Sequence, residues 1–196
     1  MSTAVRFTSA DLEGFPDDGK RREIIDGELV VSSQPHYYHQ LLGDDLVTAL
    51  NIWGRPRGAG RATSAPGLIF NPEEDVAPDI VWVSTERLPH ILSGGKLYAA
   101  PELVIEILSP GKRNITRDRE AKRKLYSLHG VREYWIVDWV ARTIEVYRRA
   151  GEQLALAVTL LAGDTLTSPL LPEFALSLDE LFAPIPIGAT YTEDPE

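Results

Sequence analysis

The sequence predicts an α/β domain with a central mixed β-sheet flanked by helices, and three observations carry that expectation. "PELVIEILSP" is an apolar run closed by Ser109-Pro110-Gly111, which reads as a strand buried on both faces. A helical pattern and then "REYWIVDW" follow it, which together make a parallel strand–helix–strand crossover. Hairpin signals lie on both sides of that unit, so antiparallel strands extend the sheet and additional β-hairpins surround it.

Taken in order, "FTSADLEGFPDDG" opens as a short helix capped by Thr8 or Ser9 and stopped near Gly14 and Pro16. "REIIDGELVVS" places two strand-like runs around Asp26-Gly27, a strong hairpin signal. From His36 to Trp53 the period changes: His39, Leu42, Leu46, Leu50 and Trp53 recur at helical spacing, with His39 on the apolar face. "GRATSAPGLIF" and "PDIVWVS" read as strands, and residues 85–100 as a polar, Gly-containing connection. After the "PELVIEILSP" strand a helix runs from about Thr116 to His129. "REYWIVDWVARTIEVYRR" then gives two strands joined at Asp138 to Arg142. Further strands and a short helix at "SLDELF" end a single domain over 1–183, with 184–196 a loose tail rich in Pro and Gly.

Composition narrows the function. The chain has 196 residues, 43% hydrophobic, enough for one domain with a sizeable core. It contains no cysteine, which excludes disulfides and thiolate metal sites and fits a cytoplasmic protein. No apolar stretch approaches the length of a membrane span, and the N-terminus lacks a basic start and an apolar signal core. A net charge of −9 argues against a protein that coats nucleic acid broadly. It leaves room for a local basic patch. Lys112, Arg113, Arg117, Arg119, Lys122, Arg123 and Lys124 crowd one short stretch, which is either a solvated helix face or a surface for phosphates.

Two acids stand where acids are costly. Glu106 lies inside the "LVIEIL" run, and Asp79 follows Pro78 at the head of "DIVWV". An ionised carboxylate buried there costs several kcal/mol unless a cation or hydrogen bonds compensate it. If the two strands are neighbours, the acids form an oxygen site suited to a hard divalent ion. The alternative is a pair of buried acids satisfied by Arg, Lys or backbone N–H groups. Other chemistry lacks its residues: "SGGK" is no phosphate-cradling loop, no serine elbow is present, and no paired His spacing marks zinc. No organic cofactor is expected.

Pro78-Asp79, Glu106 on a core strand, the Lys-rich helix and "GVREYWIVD" together resemble the PD-(D/E)XK nuclease superfamily, and within it the Uma-two family of restriction-endonuclease-like proteins. The similarity runs from about Phe7 to Phe182. It implies a restriction-endonuclease-like fold and Mg²⁺-dependent (or Mn²⁺-dependent) hydrolysis of DNA. By that resemblance Asp79, Glu106 and the backbone carbonyl of Ile107 are the metal ligands. The superfamily pattern wants a lysine two residues after the glutamate, and Leu108 stands there. The expected replacement is Lys122 from the following helix, on a stripe with Asp118 and Tyr126. Lys124 is the second choice, about 200° further round. On spacing alone, Lys122 is equally an exposed partner of Asp118.

Glu23 matches a family acid and is either an outer ligand or partner of Lys122, or an ordinary strand residue. His39 is either a core histidine or a contact to phosphate. Lys112, Arg113, Arg117 and Arg119 are the expected DNA contacts. Trp82, Trp135 and Trp139 read as core or interface. The expected partners are DNA and a second copy of the chain. The competing reading is a degenerate nuclease fold that binds nucleic acid or protein as a homodimer, favoured by Leu108 and the acidic net charge.

Overall fold

The computed structural model describes residues 5–109 and 111–190, with the Arg113 side chain outside the description. Its first helix, α1 (Ser9–Leu12), starts at Thr8, where Thr8 and Asp11 form a reciprocal capping box. Strands β1 (Arg21–Ile25) and β2 (Glu28–Ser32) pair antiparallel as expected. Asp26 and Gly27 both take positive φ, at 51° and 70°, the backbone of a two-residue turn whose twist suits a hairpin.

Helix α2 (Tyr37–Arg57) begins at His36, whose ring accepts from the Tyr38 amide, and ends at Gly58 in the left-handed region. It outlasts the expected end at Trp53 by one turn and carries Pro56 there. Its buried stripe is the one read from the sequence: His39, Leu42, Leu46, Leu50 and Trp53.

"GRATSAPGLIF" is two strands, not one. β3 (Gly60–Ser64) and β4 (Leu68–Asn71) belong to different sheets. Ala65 takes φ 45° and Pro66 has no N–H to offer a ladder, so the chain turns out of one sheet into the other. β5 (Glu74–Val76) and β6 (Ile80–Ser84) follow. The polar, Gly-containing connection holds a helical turn, α3 (Leu88–Ile91), and two-residue strands β7 (Leu92–Ser93) and β8 (Lys96–Leu97).

β9 (Leu103–Ile107) is buried at every position. Helix α4 (Lys112–Thr116) starts four residues earlier than expected and continues through a π-helical turn, Arg117–Lys122, into α5 (Arg123–Leu128). β10 (Glu133–Asp138) returns parallel to β9, completing the crossover. β11 (Thr143–Ala150), β12 (Gln153–Leu161), β13 (Thr165–Ser168), β14 (Leu171–Ser177) and α6 (Leu178–Phe182) close the fold.

The central sheet has the order β12-β11-β10-β9-β6-β3 and is mixed. α2, α6 and the β13–β14 hairpin cover one face, packing Leu46, Leu50 and Phe182 on Ile105, Ile107 and Trp135. On the other face α5 and the second sheet, β2-β1-β5-β4-β8-β7, pack on Val104, Leu108 and Tyr134. Covering both faces is what makes β9 a continuous apolar run. Trp82, Trp135 and Trp139 are all buried. The stretch expected to be loose after residue 183 is packed at its start: Ile185 is buried and its carbonyl accepts from Arg142. Residues 191–196 lie outside the described chain. No helix among the described residues is long and apolar enough to cross a membrane.

Candidate active site

β6 and β9 are antiparallel neighbours, with Ile80 opposite Ile105. The next step along the register sets Asp79 beside Glu106, and the Ile107 amide donates to Asp79 Oδ2 at 2.8 Å. Alternation along β9 points Glu106 to the same side as Val104 and Leu108, toward α5. Leu108 is wholly buried there and is not among the residues that line the pocket beside Glu106.

The helix supplies the ammonium instead. Lys122 Nζ lies 3.0 Å from Glu106 Oε1 and 3.1 Å from Glu23 Oε1. Asp118 Oδ1 is 4.0 Å away, and the Tyr126 hydroxyl donates to Glu106 Oε1 at 2.7 Å. So the stripe Asp118–Lys122–Tyr126 faces the strand, and Lys124 is exposed on the other side. The π-helical turn carries two members of this stripe, a placement often found at functional sites.

β1 adds the rest from the second sheet. Glu23 is 1% exposed, and its Oε1 accepts from the Ala77 amide at 3.0 Å as well as from Lys122. Arg21, two residues earlier, donates to Asp79 Oδ1 at 2.9 Å. His39 from α2 sets Nε2 3.2 Å from Asp79 Oδ2 and Nδ1 3.3 Å from Gln40 Oε1. Arg21, Glu23, His39, Asp79, Glu106 and Lys122, with Ile107, Ser109, Arg117 and Asp118, line one pocket of about 120 Å³.

The two central acids are shifted in opposite directions. Burial raises the Asp79 carboxyl, but the His39 hydrogen bond and the charges of Arg21 and Lys122 outweigh it and hold the group below the usual carboxylate range. Glu106 is pushed up to about 8: burial is the largest cause, and Asp79, Asp118 and Glu23 add repulsion that Lys122 only partly offsets. Glu23 is also penalised by burial, yet Lys122 and Arg21 bring it down. Burial lowers Lys122, and Glu106, Glu23 and Asp118 more than reverse this, so the ammonium stays charged. His39 follows the same pattern, lowered by burial and raised on balance by Asp79.

The structure thus gathers Asp79, Glu106, Lys122, Glu23, His39, Ile107 and Arg117. Lys112, Arg119 and Lys124 are not among the lining residues; Arg119 is tied to Glu145 at 3.0 Å and Asp138 at 3.7 Å. Arg113 lies outside the described side chains. Sequence reasoning missed Arg21. Its signal was its place two residues before Glu23, which puts both on one face of a strand.

The β9–helix–β10 crossover in a mixed sheet, with a carboxylate-and-lysine pocket at the C-terminal end of β9, is the architecture of a restriction-endonuclease-like fold. A crystal structure described as "a putative nuclease belonging to DUF820" from Anabaena variabilis ATCC 29413 shares it, with a TM-score of 0.72 and 22% identity over 90% of this chain and 98% of that one. A similarity to the type IIG restriction endonuclease BpuSI is weak, with a TM-score of 0.41 and 13% identity over 80% of this chain and 19% of that one. No curated protein matches the sequence. The chain belongs to the Uma2 family, described as "Putative restriction endonuclease", which matches residues 9–179.

Proposed function

We propose that this protein is a divalent-cation-dependent endonuclease that hydrolyses DNA phosphodiesters, with Mg²⁺ or Mn²⁺ as its ion. The observation that carries the reading is the meeting of Asp79, Glu106 and Lys122 in one pocket, from two adjacent strands and the crossover helix.

The donor set fits a hard ion. Among the described residues no group of three or more His, Asp or Glu side chains is spaced to enclose a metal. Mg²⁺ needs no such cage, because it commonly takes one or two carboxylates and keeps several waters. Glu106 makes both of its protein bonds through Oε1, leaving Oε2 without a protein partner among the described residues. Burial first, and then repulsion from Asp79, Asp118 and Glu23, raises its carboxyl, and a bound cation would favour the ionised form. Asp79, Glu106 and the Ile107 carbonyl would hold the ion. Once bound, it would polarise the phosphoryl oxygen and lower the pKa of water.

The chain's own groups do the remainder. Lys122 Nζ orients the attacking water and offsets charge building on the phosphate. Tyr126 and Glu23 hold Glu106 and Lys122 in place through bonds that are themselves buried. His39 and the Ile107 amide fix the Asp79 carboxylate and keep it ionised. Metal titration by calorimetry, followed by plasmid cleavage on the same preparation, tests the reading. Heat of binding lost in Asp79→Asn and cleavage that needs the ion support it. No uptake and no cleavage leave a binding module.

One observation favours that module. Both oxygens of Asp79 already accept protein hydrogen bonds, from Arg21, His39 and Ile107, so the acid is satisfied without an ion. The expected second copy fits the outer edge of β12, the terminal strand of the central sheet. Its nine residues include no charge and no proline, and Leu156 and Leu161 are 54% and 59% exposed. Side chains of α5 cover the edge at Leu154 and a bulge falls at Ala157, but the remainder carries no charge or proline against pairing and would suit a two-fold contact with itself.

A further inference from the structure

Arg21 is the pocket's unusual base. Its Nη1 is bonded to Asp79 Oδ1, but Nε and Nη2 are buried and without a partner among the described residues. A guanidinium stays charged at any pH the fold survives, and each buried donor left unpaired costs free energy. The other bases lining the pocket are committed. Lys122 serves Glu106 and Glu23, Arg117 bonds Asp118 at 3.0 Å, and His39 bonds Asp79. Arg21 also feels the charges of Glu23 and Glu106, so it sits among three acids, Glu23 on β1, Glu106 on β9 and Asp79 just before β6.

The position sets up a competition. Asp79 Oδ1 is an oxygen that a divalent ion would take, and the guanidinium stands on it. Two cations cannot share that oxygen at bonding distance without repulsion. A displaced Arg21 would keep its charge and gain a third free nitrogen. The nearest unclaimed anion in a working nuclease is the phosphodiester, whose two non-bridging oxygens match the planar fork of a guanidinium.

We propose that Arg21 is a built-in counter-cation, which holds Asp79 while no divalent ion is bound and passes to the substrate phosphodiester when the ion takes Asp79 Oδ1. The inference rests on the metal reading given above. It assigns Arg21 two effects of opposite sign, weakening metal uptake and strengthening substrate binding, which a merely structural arginine would not have.

The test measures two affinities on wild type, Arg21→Gln and Arg21→Lys: Mn²⁺ by calorimetry without DNA, and a short duplex in Ca²⁺ by fluorescence anisotropy. Arg21→Gln should tighten Mn²⁺ and weaken the duplex, each by about tenfold, the lower end of what one hydrogen bond to a charged group supplies. Arg21→Lys keeps the charge on Asp79 but loses the fork, so its Mn²⁺ affinity should stay near wild type while duplex binding falls. Weaker Mn²⁺ binding in Arg21→Gln, or unchanged values for both ligands, overturns the proposal and leaves the metal site standing. Wild type and Arg21→Gln both failing to bind Mn²⁺ overturns the metal reading and this inference with it. If Arg21→Gln does not fold, as a melting curve would show, the lysine variant decides: duplex affinity equal to wild type overturns the proposal.

Discussion

Lys122 Nζ stands 3.0 Å from Glu106 Oε1, although the two residues are 16 apart in sequence and belong to a helix and a strand. The contact places a buried ammonium beside the glutamate, where the superfamily pattern that the sequence resembles would draw a lysine from the strand itself, at the position occupied here by Leu108. It also divides the basic stretch into one lysine that faces the pocket and one, Lys124, that faces water.

Lys122→Met should therefore cut plasmid cleavage by about 100-fold, the usual cost of losing one transition-state donor. It should also destabilise the fold by roughly 3 kcal/mol, because Glu106, Glu23 and Asp118 lose their shared partner. Lys124→Met should leave both cleavage and melting temperature near wild type. Equal cleavage by wild type and Lys122→Met would remove Lys122 from the mechanism.

The raised Glu106 carboxyl gives the metal-free protein a pH signature. Its carboxyl is pushed up to about 8 from an ordinary value of 4.5, so between those limits the folded state holds a proton that the unfolded chain has released. Stability contributed by this group is present below the unfolded value and declines as pH rises toward 8. Asp79 acts in the opposite direction: its depressed carboxyl contributes stability above its unfolded value of 3.8, lost on acidification. Melting curves from pH 5 to 8.5 should show the decline, and Glu106→Gln, which mimics the protonated acid, should flatten it. Added Mg²⁺ should raise the melting temperature more at pH 8 than at pH 6, since ion and proton compete for Glu106.

Arg117 and Arg119 differ in their surroundings and should differ in their effect on DNA. Arg117 lines the pocket, with Nη1 in long contacts at 3.4 Å to Ser32 and Asn114. Arg119 is held by Glu145 away from it. Arg117→Gln should weaken duplex binding at low salt and reduce the slope of log K against log salt by about 1. Arg119→Gln should change neither. Equal losses in the two variants would mean that the basic helix meets DNA by a different face.

For the β12 edge, Leu156→Lys combined with Leu161→Lys should convert a dimer to a monomer in light scattering, with the melting temperature of the monomer little changed. A wild type that is monomeric at all concentrations would dismiss the contact.

Much of this protein was legible along the chain. The Asp26-Gly27 turn, the buried stripe of α2, the two-faced burial of β9 and the stripe Asp118–Lys122–Tyr126 all follow from periodicity and turn preferences that act within a few residues. The acids could be picked out because a carboxylate in an apolar run demands a compensating partner. Tertiary structure decided who the partners are. Arg21 and Glu23 reach the pocket from the second sheet, and nothing in the local sequence says which sheet faces which. Whether a basic residue meets the pocket or an acid elsewhere, as with Arg117 and Arg119, likewise depends on side chains distant in sequence. Which of the two acids, Asp79 or Glu106, is raised was not legible in the sequence. It is set by burial and by the distances among charges brought together from β1, β6, β9, α2 and the crossover helix, and those exist only once the chain has folded.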